Sequence, residues 1–143
     1  MPFHTGVEDV DAMLADIQQK LDTLHSLNES LPDPQLSAAM TRMEKAGRSI
    51  ADTVARTPDK ARNVDRFARY YLPEMVKLMG AYAELEKQGV KGDNAAQIEA
   101  DLRRNADTTA AAFENLLDAL YSAEAMDIST DIEVLDSILK SQN

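Results

Sequence analysis

The sequence predicts an all-α protein, folded as an elongated antiparallel helical bundle of three to five helices with a proline kink near Pro73. Apolar residues recur every three or four positions through its segments, which is the spacing of a buried helix stripe. No segment shows the alternating β-branched pattern of a strand bounded by turn residues. Helices of about 20–30 residues joined by short turns are expected to pack antiparallel.

Length and charge narrow the classes of function. The 143 residues favour one helical-bundle domain over 1–143. There are 15 Lys and Arg residues against 25 Asp and Glu, a formal charge of −10, so we expect no nucleic-acid partner. The absence of cysteine excludes disulfides and Cys-ligated metals. We see no secretory signal and no apolar run of the ~18 residues that span a bilayer, so we expect a cytoplasmic location, with the inner face of the membrane as an alternative.

Proline marks the boundaries of the first helices. The first stripe ends before Pro32, because the residue that precedes a proline is pushed out of helical geometry. Asp33 and Pro34 then open a second helix, as N-cap and first residue. Its stripe includes Gly47 and ends near Pro58.

Pro73 lies inside an otherwise continuous helical pattern. A proline within a helix removes a backbone hydrogen bond and clashes with the preceding turn, which predicts a kink there. Because the stripe continues on both sides, we expect Leu72, Met75 and Leu78 to face the core.

A later helix begins near Asn94, and a short C-terminal helix that contains Leu139 follows it. The predicted buried face of the helix that begins near Asn94 is Ile98, Leu102, Thr109, Phe113, Leu116 and Leu120.

We find no catalytic motif. The chain has no Gly-rich phosphate loop, no His-Glu-x-x-His and no nucleophile elbow, so no catalytic residue and no cofactor is predicted. His25 is interpreted as a histidine at the edge of the bundle. A divalent cation held by Asp127 and Asp131 is the alternative to a solvated acidic face, which we favour, and no metal site is predicted.

A basic stretch interrupts this acidic chain. Residues 42–69 carry eight Lys and Arg residues against four acidic ones. We favour the interpretation that they complement acidic helices packed alongside, and an anionic partner or membrane surface is the alternative. The candidate anion or partner site comprises Arg62, Arg66, Arg69, Tyr70, Tyr71 and Lys77.

The run from Arg66 to Leu78, RFARYYLPEMVKL, resembles the bacterial XpaC family and its Tyr-Tyr-Leu-Pro-Thr-Thr-x-Lys-Leu-Leu pattern. Glu74 and Met75 replace the paired threonines of that pattern. A Tyr-x-Glu-Leu motif follows at residues 82–85, and two further family motifs match residues 112–120 and 127–135. The resemblance covers about residues 5–140.

The XpaC family is named for hydrolysis of 5-bromo-4-chloroindolyl phosphate, so the resemblance implies a phosphate-ester hydrolase. It also implies a domain that can be the soluble part of a longer, membrane-anchored protein, and a partner of the TelA-like toxic-anion resistance type. From the residues themselves we favour an interaction or scaffold module in a stress or envelope process. The alternative is a hydrolase with its site near Tyr70 to Pro73, and a homo-oligomer stays open.

Overall fold

The computed structural model describes residues 3–89, 91–122 and 138–140, and these are almost wholly helical. The α-helices are α1 (Glu8–Glu29), α2 (Pro34–Arg56), α3 (Leu72–Lys87) and α4 (Asp93–Ser122). A 3₁₀ helix (Pro58–Val64) and a π-helix (Phe67–Tyr71) connect α2 to α3. No strand occurs in the described ranges, which confirms the all-α class, and the six helical segments there slightly exceed the expected number.

The four α-helices surround one core. Helix α2 packs against α1 and α4, and α3 contacts α1 and α4 on the other side. Arg48 of α2 pairs with Asp22 of α1, and Ser37 pairs with Asn28, so α1 and α2 run antiparallel.

Helices α2 and α4 are neighbours that run parallel. Gln35 contacts Asp107, and Arg42, seven residues later in α2, contacts Glu114, seven residues later in α4. The residue numbers of both helices therefore increase in the same direction. The connection through the 3₁₀ helix, the π-helix and α3 returns the chain to the end at which α2 begins.

The predicted start of α2 is confirmed. Oδ1 of Asp33 accepts hydrogen bonds from the backbone N–H groups of Gln35, at 2.9 Å, and Leu36, at 3.2 Å. Pro34 is the first residue of the helix, where a missing N–H costs nothing. The cap therefore satisfies two of the free donors at this helix end.

Helices α1 and α2 approach closely at Gly47. A Cβ atom built on this glycine would lie 2.6 Å from Cδ2 of Leu21, whose side chain is buried.

An aromatic contact joins the π-helix to α4. The rings of Phe67 and Phe113 pack edge to face, with centroids 4.8 Å apart. The π-helix is thereby packed against α4.

The expected departure from α-helical geometry before Pro73 takes the form of the π-helix. The N–H of Leu72 donates to the carbonyl of Phe67, five residues earlier. Pro73 follows in the first turn of α3. In an ordinary α-helix, the ring of Pro73 would clash with the carbonyl of Arg69, four residues earlier. The wider turn of the π-helix moves that carbonyl away from the ring.

One residue expected in the core next to Pro73 is exposed. Leu72 and Met75 are buried as predicted, but 36% of Leu78 is accessible, and Met79 is buried in its place. Steps of three and four residues are both helical, so the spacing on either side of Pro73 allowed either residue to face the core.

Ile98 is a second such correction. It is 45% exposed, and the buried face of α4 begins at Leu102. Because α4 runs parallel to α2 and Arg103 lies beside the N-cap Asp33, the turn that contains Ile98 extends past the start of α2. No α2 side chain lies opposite it.

The C-terminal predictions are covered only in part. Leu139 is buried, and Ile138 packs against the core. The family motif at 127–135 and the acidic pair Asp127 and Asp131 lie outside the described residues.

Candidate functional site

The candidate anion or partner residues lie along the connection between α2 and α3 and in the first turns of α3. Tyr70 projects from the π-helix with 67% of its surface accessible. Tyr71 beside it is half-buried and packs against the core. The four cations of the set are all exposed: Arg62, Arg66, Arg69 and Lys77.

Two of these cations share a groove, which we call the arginine groove. It has a volume of about 550 Å³ and separates the first turns of α1 from the 3₁₀ helix and the π-helix. The small side chains of Ala61 and Ala68 leave room for the groove, and Met13 of α1 lines its opposite side. Its charged lining consists of Arg62, Arg69, Asp9, Asp16 and Asp65.

The charges of the arginine groove largely offset one another. Nε of Arg69 lies 2.7 Å from Oδ1 of Asp65, one helical turn earlier. Nζ of Lys20 lies 2.6 Å from Oδ1 of Asp16. With three carboxylates and two guanidinium groups in its lining, the groove has no excess of positive charge for a phosphate. Sequence reasoning missed the acidic side of this groove, because the contact between α1 and the π-helix is long-range.

The first half of the basic stretch pairs with neighbouring helices. Nη2 of Arg42 lies 2.5 Å from Oε1 of Glu114, and Arg48 pairs with Asp22 at 3.0 Å. The hydrogen bond from Arg42 lowers the pKa of the Glu114 carboxyl group, against a smaller opposing effect of burial. Complementarity with acidic residues of neighbouring helices therefore accounts for Arg42 and Arg48, and Arg69 pairs with Asp65 one turn earlier in its own stretch.

A polar cluster joins α1 to α2 at the position of His25. Its Nδ1 lies 2.7 Å from Oε1 of Glu44, and its Nε2 lies 2.8 Å from Oε1 of Glu29. Asn28 donates a second hydrogen bond to the buried Glu44. His25 thus stabilises the edge of the bundle, as interpreted from the sequence.

A second groove, the α1–α3 groove, lies where the end of α1 meets the second half of α3. Its volume is about 520 Å³. Leu27, Leu31 and Pro32 form one wall, and Gly80 and Ala83 form the other. Glu84, Glu86 and Lys87 stand at its rim. Sequence reasoning missed this groove as well, because nothing local to either helix shows that α1 and α3 are neighbours.

A small cavity of about 140 Å³ lies under the turn between α3 and α4. Tyr82 lines it, and its hydroxyl donates to Oε1 of Glu86 at 3.1 Å. Burial, reinforced by the Glu86 carboxylate, raises the pKa of Tyr82 far above its ordinary value. The hydroxyl group of Tyr82 serves as a hydrogen-bond donor in this cavity.

Over residues 3–89, 91–122 and 138–140, no group of three or more His, Asp or Glu side chains is arranged to hold a metal ion. No helix in this part of the chain combines the length and the apolar character needed to cross a bilayer.

Comparison with known protein families identifies a match over most of the chain. A family model described as 5-bromo-4-chloroindolyl phosphate hydrolysis protein matches residues 6–135, which include both grooves and every candidate residue. No curated protein and no solved structure matches the chain.

Proposed function

We propose that this chain, which belongs to the 5-bromo-4-chloroindolyl phosphate hydrolysis protein family, acts as a helical interaction module. Membership in the family confirms the resemblance to XpaC in the sequence, and the role as a module is our inference from the surface around Tyr70.

The exposed ring of Tyr70 carries the proposal. It stands on a π-helix, a geometry found frequently at functional sites, with Arg66 and Arg69 in the same turns. Tyrosine and arginine are enriched among the residues that dominate binding energy at protein interfaces. A large, solvent-exposed aromatic ring beside cationic side chains supports the proposal that this surface binds a partner.

The charge of this surface favours an acidic partner. The chain as a whole carries −10, whereas residues 42–69 carry eight Lys and Arg residues against four acidic ones, and Arg66 and Lys77 add exposed cations beside Tyr70 outside the arginine groove. Such a local reversal of charge attracts and orients an acidic protein. We propose a TelA-like toxic-anion resistance protein as this partner, in a stress or envelope process in the cytoplasm. An anionic membrane surface is the competing target.

The test compares two matched arginines. The side chains of Arg69 and Arg104 are each 71% exposed, and each pairs with an aspartate three or four residues earlier in the sequence. Binding of a purified TelA-like protein is measured by isothermal titration for Arg69→Gln, with Arg104→Gln as the control. We expect Arg69→Gln to weaken binding about 5-fold or more at low salt and Arg104→Gln to change it less than 2-fold. Equal effects of the two substitutions would refute the proposed surface.

Anionic vesicles distinguish the competing target in the same experiment. Binding of the wild-type chain to vesicles that contain phosphatidylglycerol, without binding to the TelA-like protein, would replace the protein partner with a membrane surface. Binding to neither would refute the module.

The family's description favours a second candidate, a phosphate-ester hydrolase with its site near Tyr70 to Pro73. Phosphoryl transfer needs charged groups that converge on one phosphate. Arg62 and Arg69 share a groove, but its lining includes neither tyrosine. Turnover of 5-bromo-4-chloroindolyl phosphate, with and without divalent metals, is compared between the wild-type chain and the double variant Tyr70→Phe, Tyr71→Phe. Robust turnover abolished in that variant would establish the hydrolase.

A further inference from the structure

Gly80 lies in the middle of α3, and the surrounding structure does not require a glycine there. Among the residues that the structure describes, a Cβ atom built on it meets no atom within 4 Å, and its φ is not positive. A glycine inside a helix is less favourable than alanine, because it loses more backbone freedom on folding.

Gly47 is a helical glycine that the packing between α1 and α2 does require. It is also a glycine inside a long helix, but its Cβ would lie 2.6 Å from a buried methyl group of Leu21. Close packing inside this chain explains Gly47, and no comparable neighbour explains Gly80. No described residue occupies the space above Gly80, and a group from a binding partner can enter it.

That space belongs to the α1–α3 groove. Leu27, Leu31 and Pro32 provide an apolar wall opposite Gly80, and Ala83 continues the small surface one turn later. Leu27 and Leu31 are only partly buried, although both pack against the core cluster. The lack of a side chain at Gly80 lets another backbone approach the groove closely.

The rim of the α1–α3 groove is acidic. Glu84 and Glu86 stand on it with a single cation, Lys87. Glu86 is oriented by the hydroxyl of Tyr82, and Glu84 by the side-chain amide of Gln88. A segment that fits here combines apolar side chains for the floor with cations for the rim.

We propose that the α1–α3 groove docks an amphipathic helix of a partner protein, with its apolar face over Gly80 and its Lys or Arg side chains beside Glu84 and Glu86. A groove between two neighbouring helices suits a third helix, whose side chains at i, i+3, i+4 and i+7 fill it. This docking site is separate from the surface around Tyr70, and it does not depend on the partner proposed there.

The probe is a synthetic 18-residue helical peptide with leucine along one face and lysine on both flanks. One control peptide carries glutamate in place of lysine, and another has the same composition in an order that removes the apolar face. Binding is followed by fluorescence anisotropy of labelled peptide at low salt. We expect only the first peptide to bind.

Two substitutions of Gly80 separate docking from folding. Both Gly80→Ala and Gly80→Leu place a side chain in open space, so both are expected to fold, and Gly80→Ala to raise the unfolding midpoint by about 3 °C. Gly80→Leu fills the groove and should weaken peptide binding at least about 10-fold, whereas Gly80→Ala should leave it within about 3-fold of the wild-type value.

A matched pair of charge reversals tests the rim. Glu84→Lys should weaken binding about 5-fold or more, and Glu74→Lys, on the same helix but outside the groove lining, should change it less than 2-fold. The proposal is wrong if the wild-type chain does not bind the peptide, if the rearranged peptide binds as well, or if Gly80→Leu binds like the wild type.

Discussion

Arg103 of α4 donates a hydrogen bond from Nε to Oδ2 of Asp33, the residue that caps α2, at 2.6 Å. The other oxygen of Asp33 accepts from the first turn of α2. One carboxylate thus begins a helix and fixes the register of the helix that runs parallel to it.

Loss of the Asp33 carboxylate should destabilise the protein markedly. Asp33→Ala removes a helix cap and leaves Arg103 without this partner, which together cost about 2 kcal/mol of the free energy of unfolding. Asp101→Ala removes an exposed partner of Arg104 and should cost less than about 0.5 kcal/mol. Urea unfolding at pH 7 checks both values, and similar losses in the two variants would contradict the role of Asp33.

The contribution of Asp33 to the free energy of unfolding should also depend on pH. Burial raises the pKa of Asp33, but hydrogen bonds from Arg103 and from the backbone of Leu36 outweigh it, so the net pKa of Asp33 lies below its ordinary value. A carboxylate with a depressed folded-state pKa stabilises the protein above its unfolded-state pKa, near 4, and this stability is lost as the pH falls through the folded-state pKa. The stability difference between the wild-type chain and Asp33→Asn should therefore shrink below about pH 4. A difference that is constant between pH 7 and pH 3 would contradict this linkage.

Local chemistry made the start of α2 predictable, because the cap and the proline act within three residues. The π-helix was foreseen only as a kink, since Pro73 reveals a conflict with α-helical geometry and not how the backbone resolves it. Leu78 and Met79 could not be told apart by spacing. The partners of Arg42 and the acidic residues opposite Arg62 depend on which helices lie side by side, and one sequence does not contain that information.

The two helical glycines should respond in opposite directions to the same substitution. Gly80→Ala should raise the free energy of unfolding by about 1 kcal/mol, through helix propensity alone. Gly47→Ala forces a Cβ against the buried Leu21 and should lower it by about 1 kcal/mol, despite the same gain in propensity. Urea unfolding of both variants measures the difference, and a stabilised Gly47→Ala would show that α1 and α2 separate without cost.

The most direct test of the interaction module is a pair of substitutions at Tyr70, titrated against the purified TelA-like protein. If the exposed ring is the contact, Tyr70→Phe should bind within about 3-fold of the wild-type chain, and Tyr70→Ala should bind at least about 10-fold more weakly. Turnover of 5-bromo-4-chloroindolyl phosphate is measured on the same samples and should not depend on the hydroxyl group. Unchanged binding by Tyr70→Ala, together with turnover that Tyr70→Phe abolishes, would contradict the module and establish a hydrolase at the π-helix.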